Sequence, residues 1–205
     1  MAKSILEHFL SHFDKAREYK ASSRKNNHGL ETGYQEHLIG PGIKDGYFYD
    51  GTAHRIFKAT MQQFGIDENS FIANNNRFVQ AYERLRYIDF VKVLSGPTAE
   101  IKDAFRAFDK AGVKTAWLTF SRVDAKLQGS QNHVKVESDL HGVGRVNEEL
   151  TSDEIILKIN PYYVADALTL MQAVECRTVE LYISSHYLLI KGDRDMEYLI
   201  VGMKG

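Results

Sequence analysis

Hydrophobic and polar positions alternate with changing period along the first half of the chain. Apolar side chains at helical spacing predict an amphipathic helix over 4–20. Residues 21–46 are polar and rich in Gly and Asn, which predicts a loop with at most one short strand. Two apolar runs then flank Asp50-Gly51, the pattern of a β-hairpin whose turn lies at that dipeptide. The helical period returns over 75–85 and precedes a strand-like run.

The second half of the chain repeats one pattern. A helix is expected from a capping Thr98 to a terminating Gly112, and a second one opens at Asn160-Pro161, with proline in the first helical position. Short alternating strands precede and follow each helix. The order predicts a βαβββ unit of about 55 residues that occurs twice. Ser-Gly-Pro at 95–97 breaks the chain between the halves, so we expect an α+β protein with domains at 1–94 and 95–205.

Composition limits the class of protein. The chain has 205 residues, of which 43% are hydrophobic and 26% charged, a globular balance with no low-complexity bias. No apolar run approaches the roughly 18 residues of a membrane span, and the first twenty residues are too charged for a signal-peptide core. The single Cys176 cannot form an internal disulfide, and a small buried hydrophobe is its expected role. We expect a soluble cytoplasmic protein.

Net charge excludes one mode of nucleic-acid binding. With 26 Lys and Arg against 27 Asp and Glu, the chain carries a formal charge of −1 and cannot bind DNA through bulk basicity. The charge is nevertheless uneven, because residues 1–30 have a balance of +3 and residues 151–205 a balance of −3. Any DNA contact therefore requires locally segregated basic residues.

Two predicted helices have basic outer faces. Basic residues recur at i, i+4 and i+8 in the helix after residue 98, opposite its apolar side, and two arginines take the outward side of the helix over 75–85. An ordinary solvated face with i,i+4 charge pairs is the alternative interpretation. Two further basic residues lie in the polar stretch near the start. The candidate DNA-binding residues are Lys102, Arg106, Lys110, Arg77, Arg84, Arg24 and Lys25.

Motifs for catalysis and metal binding are weak. His8 and His12 have the i,i+4 spacing of paired metal ligands, but the zinc-protease Glu is missing, so we expect no metal there. Asp50 and His54 could form an acid/base pair, but the sequence places no nucleophile or second carboxylate beside them. A turn aspartate that bonds its own backbone is the preferred interpretation of Asp50. We expect no catalytic residue, no metal and no cofactor.

The C-terminal part resembles the last domain of the bacterial sliding clamp, the beta subunit of the replicative DNA polymerase. The resemblance runs from PTAEIKDAFRAF to the end of the chain, and its local matches there are INPYYVADALTLMQAVECRTVELYIS with a "YLLDAL"-like core and the terminal YLIVGMKG. The last is similar to a "YLIMPMRL"-type ending, with Gly202 at the usual proline position and Gly205 at the usual leucine. Upstream, DGTAHRIFKA resembles a "TDGHRLA" turn and YIDFVKVLSG a "FPDYRRVLP" connector.

The resemblance implies a DNA-clamp fold, with helices on one face of antiparallel sheets and no catalytic activity. It implies a role in DNA replication as a processivity factor, with non-specific binding of double-stranded DNA through the helix layer and a homo-oligomeric state. It also implies a cleft that binds short peptides of DNA polymerase and other partner proteins. It implies no association with a membrane. The residues at the matching positions of that cleft are His54, Ile56, Leu199, Val201 and Met203.

The chain departs from the family in length. The family has three domains of about 120 residues, whereas this chain has one full domain and an abbreviated first one, in which strands expected after the helix over 75–85 are missing. Two alternatives to a replication clamp therefore stay open. One is a clamp-fold interaction module that forms no ring and binds clamp partners or a host clamp. The other is an unrelated α+β enzyme that uses Asp50 and His54.

Overall fold

Two compact units make up the structure, a computed structural model that describes residues 41–52, 54–64, 76–151 and 153–203. The units divide between Tyr87 and Ile88. The helix expected over 4–20, with His8 and His12, lies outside the described residues, as do Arg24 and Lys25. Within the described ranges, none of the helices has the length and apolar content needed to cross a membrane.

The described residues of the first unit form an antiparallel sheet covered by one helix. The strands are β1 (Gly42–Lys44), β2 (Tyr47–Thr52) and β3 (Arg55–Thr60), in that order, and the helix is α1 (Asn76–Arg84). Short 3₁₀ turns occupy Gln62–Phe64 and Leu85–Tyr87. Helix α1 packs on β1 and β2 through buried Phe78 and Val79. The Tyr82 ring lies 5.6 Å from the Tyr49 ring, so aromatic contacts contribute to this small core.

The hairpin is confirmed, but the position of its turn is a correction. Asp50 and Gly51 lie inside β2, where Gly51 pairs with Ile56, and the last pair of the hairpin is Thr52 with Arg55. A Cβ added at Gly51 would lie 2.1 Å from the carbonyl oxygen of Arg55. Glycine is needed here because the two strands approach closely, and a turn is not the reason.

The second unit contains two helices and nine strands among its described residues. The helices are α2 (Thr98–Lys110) and α3 (Pro161–Ala173), which pack against each other. The strands are β4 (Val91–Pro97), β5 (Ala116–Phe120), β6 (Ala125–Gln131), β7 (Val134–Asp139), β8 (Arg145–Val146), β9 (Ile155–Ile159), β10 (Thr178–Ile183), β11 (Tyr187–Gly192) and β12 (Glu197–Val201).

The predicted repeat is present, and its two copies exchange a strand. Strand β4 precedes α2 but pairs with β10, which follows α3; conversely, β9 precedes α3 but pairs with β5. The result is two antiparallel sheets, with the orders β12-β11-β10-β4-β8 and β7-β6-β5-β9. Leu94 faces Leu181 in one exchange and Leu118 faces Leu157 in the other, and all four are buried. This is the mixed α+β architecture with repeated units that the sequence predicted.

The helix ends show one confirmed cap and one correction. The Asn160 side chain accepts a hydrogen bond from the Tyr162 N–H at 3.1 Å, and proline follows it as expected. Thr98 is the first helical residue and not the cap, since Pro97 occupies that position without a side-chain cap bond. The Thr98 N–H donates instead to the Arg177 carbonyl oxygen at 2.8 Å. Gly112, with φ of 76°, ends the α2 segment as predicted.

The Ser-Gly-Pro stretch also differs from its expected form. Residues 95–97 continue β4 directly into α2 and do not form a break. Gly96 makes this continuity possible, because a Cβ there would lie 3.0 Å from the Cα of Gly144 in the neighbouring segment. The expected domain boundary after residue 94 falls within this strand.

Candidate nucleic-acid interface and peptide-docking residues

The basic stripe on α2 is arranged as the helical spacing predicts. Ile101, Phe105 and Phe108 are buried on one side of the helix, while Arg106 and Lys110 are exposed on the other. Lys102 is half-buried, and its ammonium donates a hydrogen bond to the Gln172 side chain of α3. The contact with Gln172 was not predictable from the sequence, because the two residues lie on different helices.

Acidic side chains balance this stripe. Glu100 and Asp103 are exposed on α2, and Asp109 is half-buried. Helix α3 contributes no basic residue and one acidic residue, Asp166. The field of the two-helix layer is therefore modest, and any attraction for DNA depends on individual side chains such as Arg106 that can reach a phosphate.

Helix α1 of the first unit presents the predicted outward face. Arg77, Gln80 and Arg84 are exposed, as the spacing requires. Glu83 on the same helix pairs with Lys44 of β1, so part of the acidic charge of this face is neutralised within the unit.

The candidate peptide-docking residues differ widely in exposure. In the first unit, His54 is exposed at the hairpin turn, whereas Ile56 in β3 is buried with 8% of its surface accessible. In the second unit, Leu199 is buried at 2%, Val201 is half-buried and Met203 is 43% exposed. Ile56 and Leu199 therefore contribute to the cores of their units, while His54 and Met203 are accessible to a partner.

The chain after β12 is held on both sides within the second unit. The Gly202 N–H donates to the His186 carbonyl oxygen and the Met203 N–H to the Lys158 carbonyl oxygen, both at 2.7 Å. The Thr115 hydroxyl lies 3.6 Å from the Met203 sulfur. Met203 is thus an apolar side chain on a fixed backbone, which suits it to contact a ligand with little loss of entropy.

Asp50 and His54, the acid/base pair of the enzyme hypothesis, each form a hydrogen bond with a neighbouring residue of the hairpin. Asp50 is buried, and its Oδ1 accepts a hydrogen bond from the Gly51 N–H at 2.7 Å, the backbone contact that the sequence favoured. The His54 N–H donates to the Thr52 hydroxyl at 3.3 Å. Among the described residues, no three His, Cys, Asp or Glu side chains are grouped as metal ligands would be.

Cys176 and Asp193 form a structural contact at the end of α3. Cys176 is buried, as expected, and burial followed by the nearby Asp193 carboxylate raises the pKa of its thiol to about 11. Burial opposes ionisation of Asp193 too. Hydrogen bonds from the Cys176 thiol and from the N–H groups of Thr178 and Arg177 outweigh it and lower the pKa of that carboxyl.

Comparison with known proteins identifies the fold. The DNA polymerase sliding clamp of Pseudomonas aeruginosa is similar with a TM-score of 0.63 and 14% identity, over 86% of this chain and 60% of that one. The sliding clamp of Caulobacter crescentus is similar with a TM-score of 0.62 and 11% identity, over 97% of this chain and 64% of that one. The DNA polymerase III beta subunit of Thermotoga maritima is similar with a TM-score of 0.61 and 10% identity, over 86% of this chain and 60% of that one. No protein-family model and no curated protein matches the sequence.

The described chain therefore has the fold of the bacterial sliding clamps, as the sequence motifs implied. It spans about 60% of the length of the clamps that it matches. The identity of 10–14% is too low to transfer a function residue by residue.

Proposed function

We propose that this protein is a shortened sliding-clamp-like processivity factor that associates with double-stranded DNA without reading its sequence. The single observation that carries the proposal is the exchanged pair of βαβββ repeats, which the bacterial clamps share. In this function the chain is not an enzyme and acts in the cytoplasm beside the replicating DNA. Its contribution is to hold a polymerase on the template.

The exposed basic residues of α2 support the proposed DNA contact. Arg106 and Lys110 lie one helical turn apart on the solvent side, a spacing that lets both reach phosphates of one DNA backbone. The acids Asp103 and Asp109 on the same helix keep the attraction weak. Weak contacts suit a protein that moves along DNA, because each phosphate contact is easily exchanged for the next.

The test compares circular with linear DNA. A closed oligomer retained on a circular plasmid and released when the plasmid is linearised supports a clamp that encircles DNA. Light scattering of the same sample gives the mass, and we expect an oligomer. A strictly monomeric protein that leaves both plasmids equally fast contradicts the proposal.

We further propose that polymerase-type partners dock through short peptides, with Met203 and Val201 as contacts on the second unit and His54 on the first. Fluorescence titration of a labelled clamp-binding peptide tests each unit through its own variant, Met203→Asp or His54→Asp. Burial of one apolar side chain is worth roughly 1.5–3 kcal/mol, so Met203→Asp weakens binding by at least about tenfold. Unchanged affinity in both variants contradicts this docking site.

A second candidate function is a clamp-fold interaction module that forms no ring. The observation that favours it is the charge balance of the two helices α2 and α3, which together have three basic and four acidic residues. Such a module binds clamp partners or a second clamp and has no salt-dependent affinity for DNA. A monomer that binds the peptide but not DNA is the result that distinguishes it.

A further inference from the structure

A cavity in the second unit is bordered by an arginine of the β5–β6 turn and by an arginine and a histidine of the segment that contains β8. It has a volume of about 450 Å³ and lies between the β5–β6 turn and the segment that contains β8. Its lining includes Arg122, His141, Gly144, Arg145, Asn147 and Glu148. Because the two arginines are 23 positions apart along the chain, only the fold brings them to one place.

The backbone around the cavity is fixed by hydrogen bonds. In the β5–β6 turn, the Arg122 N–H donates to the Thr151 carbonyl oxygen at 3.0 Å. Arg145 pairs with Ser95 of β4, and a Cβ added at Gly144 would lie 2.8 Å from the Ser95 carbonyl oxygen. The Asn147 amide donates to the Lys92 carbonyl oxygen at 3.0 Å. The arginines therefore project from positions that are set before any ligand binds.

The nearby carboxylates do not neutralise these cations. Asp124 binds the Lys126 ammonium at 2.6 Å, and Asp139 accepts the His141 backbone N–H at 2.9 Å. Within the described part of the chain, the side chains of Arg122 and Arg145 form no ion pair. Of the residues that line the cavity, Glu148 alone is acidic. The cavity thus has an excess of positive charge.

We propose that this cavity binds a phosphate group. Two guanidinium groups offer planar sets of N–H donors that match the oxygens of a phosphate. His141 adds a third group with an N–H donor beside the two guanidinium groups. No residue of α2 lines the cavity, so the site does not depend on the proposed DNA contact of that helix.

Isothermal titration of the full chain with inorganic pyrophosphate tests the site. We expect saturable binding with a Kd below about 1 mM. Arg122→Gln and Arg145→Gln each weaken it by about tenfold, and the double variant abolishes it. Arg177→Gln is the matched control, since it removes the same charge from an exposed position outside the cavity and leaves the Kd within about twofold.

The source of the phosphate is distinguished by competition. If a short DNA duplex displaces pyrophosphate, and Arg145→Gln weakens duplex binding about tenfold, the site takes a phosphodiester of nucleic acid. If the saturating duplex leaves pyrophosphate binding unchanged, the site takes a free phosphorylated small molecule. Arg106→Gln on α2 leaves pyrophosphate binding unchanged, which separates this site from the stripe.

Two results overturn the proposal. One is the absence of saturable pyrophosphate binding to the wild-type chain. The other is an equal loss of affinity in Arg177→Gln and in the cavity variants, which shows only a response to net charge. Circular dichroism of each variant establishes that the fold is retained.

Discussion

The backbone N–H of Gly202 donates a 2.7 Å hydrogen bond to the carbonyl oxygen of His186, at the position that the sequence resemblance matches with a proline. Proline has no N–H, so a proline at this position could not donate this bond. Gly202 is also closely packed, because an added Cβ would lie 2.7 Å from the Cδ1 of Leu157. The residue thus ties the end of β12 to the β10–β11 turn and to β9.

Substitution of Gly202 is therefore expected to destabilise the protein. Gly202→Ala forces Leu157 and the His186 carbonyl to shift, at a cost of about 1–3 kcal/mol in the free energy of unfolding. Gly202→Pro additionally removes the hydrogen bond, which is worth about 1 kcal/mol. Urea denaturation followed by circular dichroism measures both. Gly142→Ala is the control, since an added Cβ there has no neighbour within 4 Å; equal stability of all variants contradicts the packing argument.

The three basic residues of the α2 stripe are expected to contribute unequally to DNA binding. Arg106 is exposed and has its guanidinium available, whereas Lys102 is held by Gln172. Arg106→Gln should lower the slope of log K against log salt concentration by about 0.9, the value of one phosphate contact, and Lys102→Gln by less. Fluorescence anisotropy with a labelled duplex measures the slopes. A larger effect of Lys102→Gln contradicts this order.

Asp103→Asn is the complementary variant. It removes an exposed carboxylate from the same helix and leaves the bases unchanged. If DNA approaches α2, this variant binds more tightly than the wild type at low salt, and the difference disappears as the salt concentration rises. Identical binding of the two proteins at low salt indicates that DNA does not approach this face.

Local signals predicted the helices and strands of the second unit well. The Asn160-Pro161 start and the alternating strands depend on neighbours in sequence, and both were confirmed. The errors arose where a distant residue decides the role. Thr98 was expected to cap α2, but its N–H bonds to Arg177 across the sheet. Gly51 was assigned to a turn, but the closeness of the Arg55 backbone places it in a strand.

The candidate sites were less predictable for the same reason. The stripe on α2 follows from helical spacing alone, so its exposed face was predicted. Whether a β residue such as Leu199 belongs to the core or to a surface depends on what packs over it, and the residues that pack over it are distant in sequence. The cavity around Arg122 and Arg145 required the pairing of β4 with β8, which no local pattern indicates.

Asp193 predicts a pH-dependent contribution to stability. Its carboxylate accepts hydrogen bonds from the Arg177 N–H at 3.1 Å and the Thr178 N–H at 3.2 Å, which contribute to its lowered pKa. A carboxyl whose pKa is lower in the folded state stabilises the protein above its unfolded pKa of about 3.9 and loses this effect as pH falls through the folded pKa.

Asp193→Ala should accordingly cost about 1 kcal/mol at neutral pH, a value reduced by solvent exposure. The difference from the wild type shrinks once the pH lies below the folded pKa. Urea denaturation at neutral and acidic pH measures it, with exposed Asp103→Ala as the control. A difference that grows as the pH falls contradicts the assignment of Asp193 as an ionised acceptor.

Cys176 should be chemically inert in the folded protein. Its pKa of about 11 leaves on the order of one thiol in a thousand ionised at pH 8, against roughly a quarter for an exposed cysteine with a pKa of about 8.5. Alkylation by iodoacetamide requires the thiolate, so the folded protein reacts at least about a hundredfold more slowly than the urea-unfolded chain. Mass spectrometry of timed samples measures both rates.

The packing of Gly192 over Cys176 slows the reaction further, because a Cβ added at Gly192 would lie 2.6 Å from the Cys176 sulfur. Equal rates before and after unfolding would show that the end of α3 opens readily and that Cys176 is not part of a closed core.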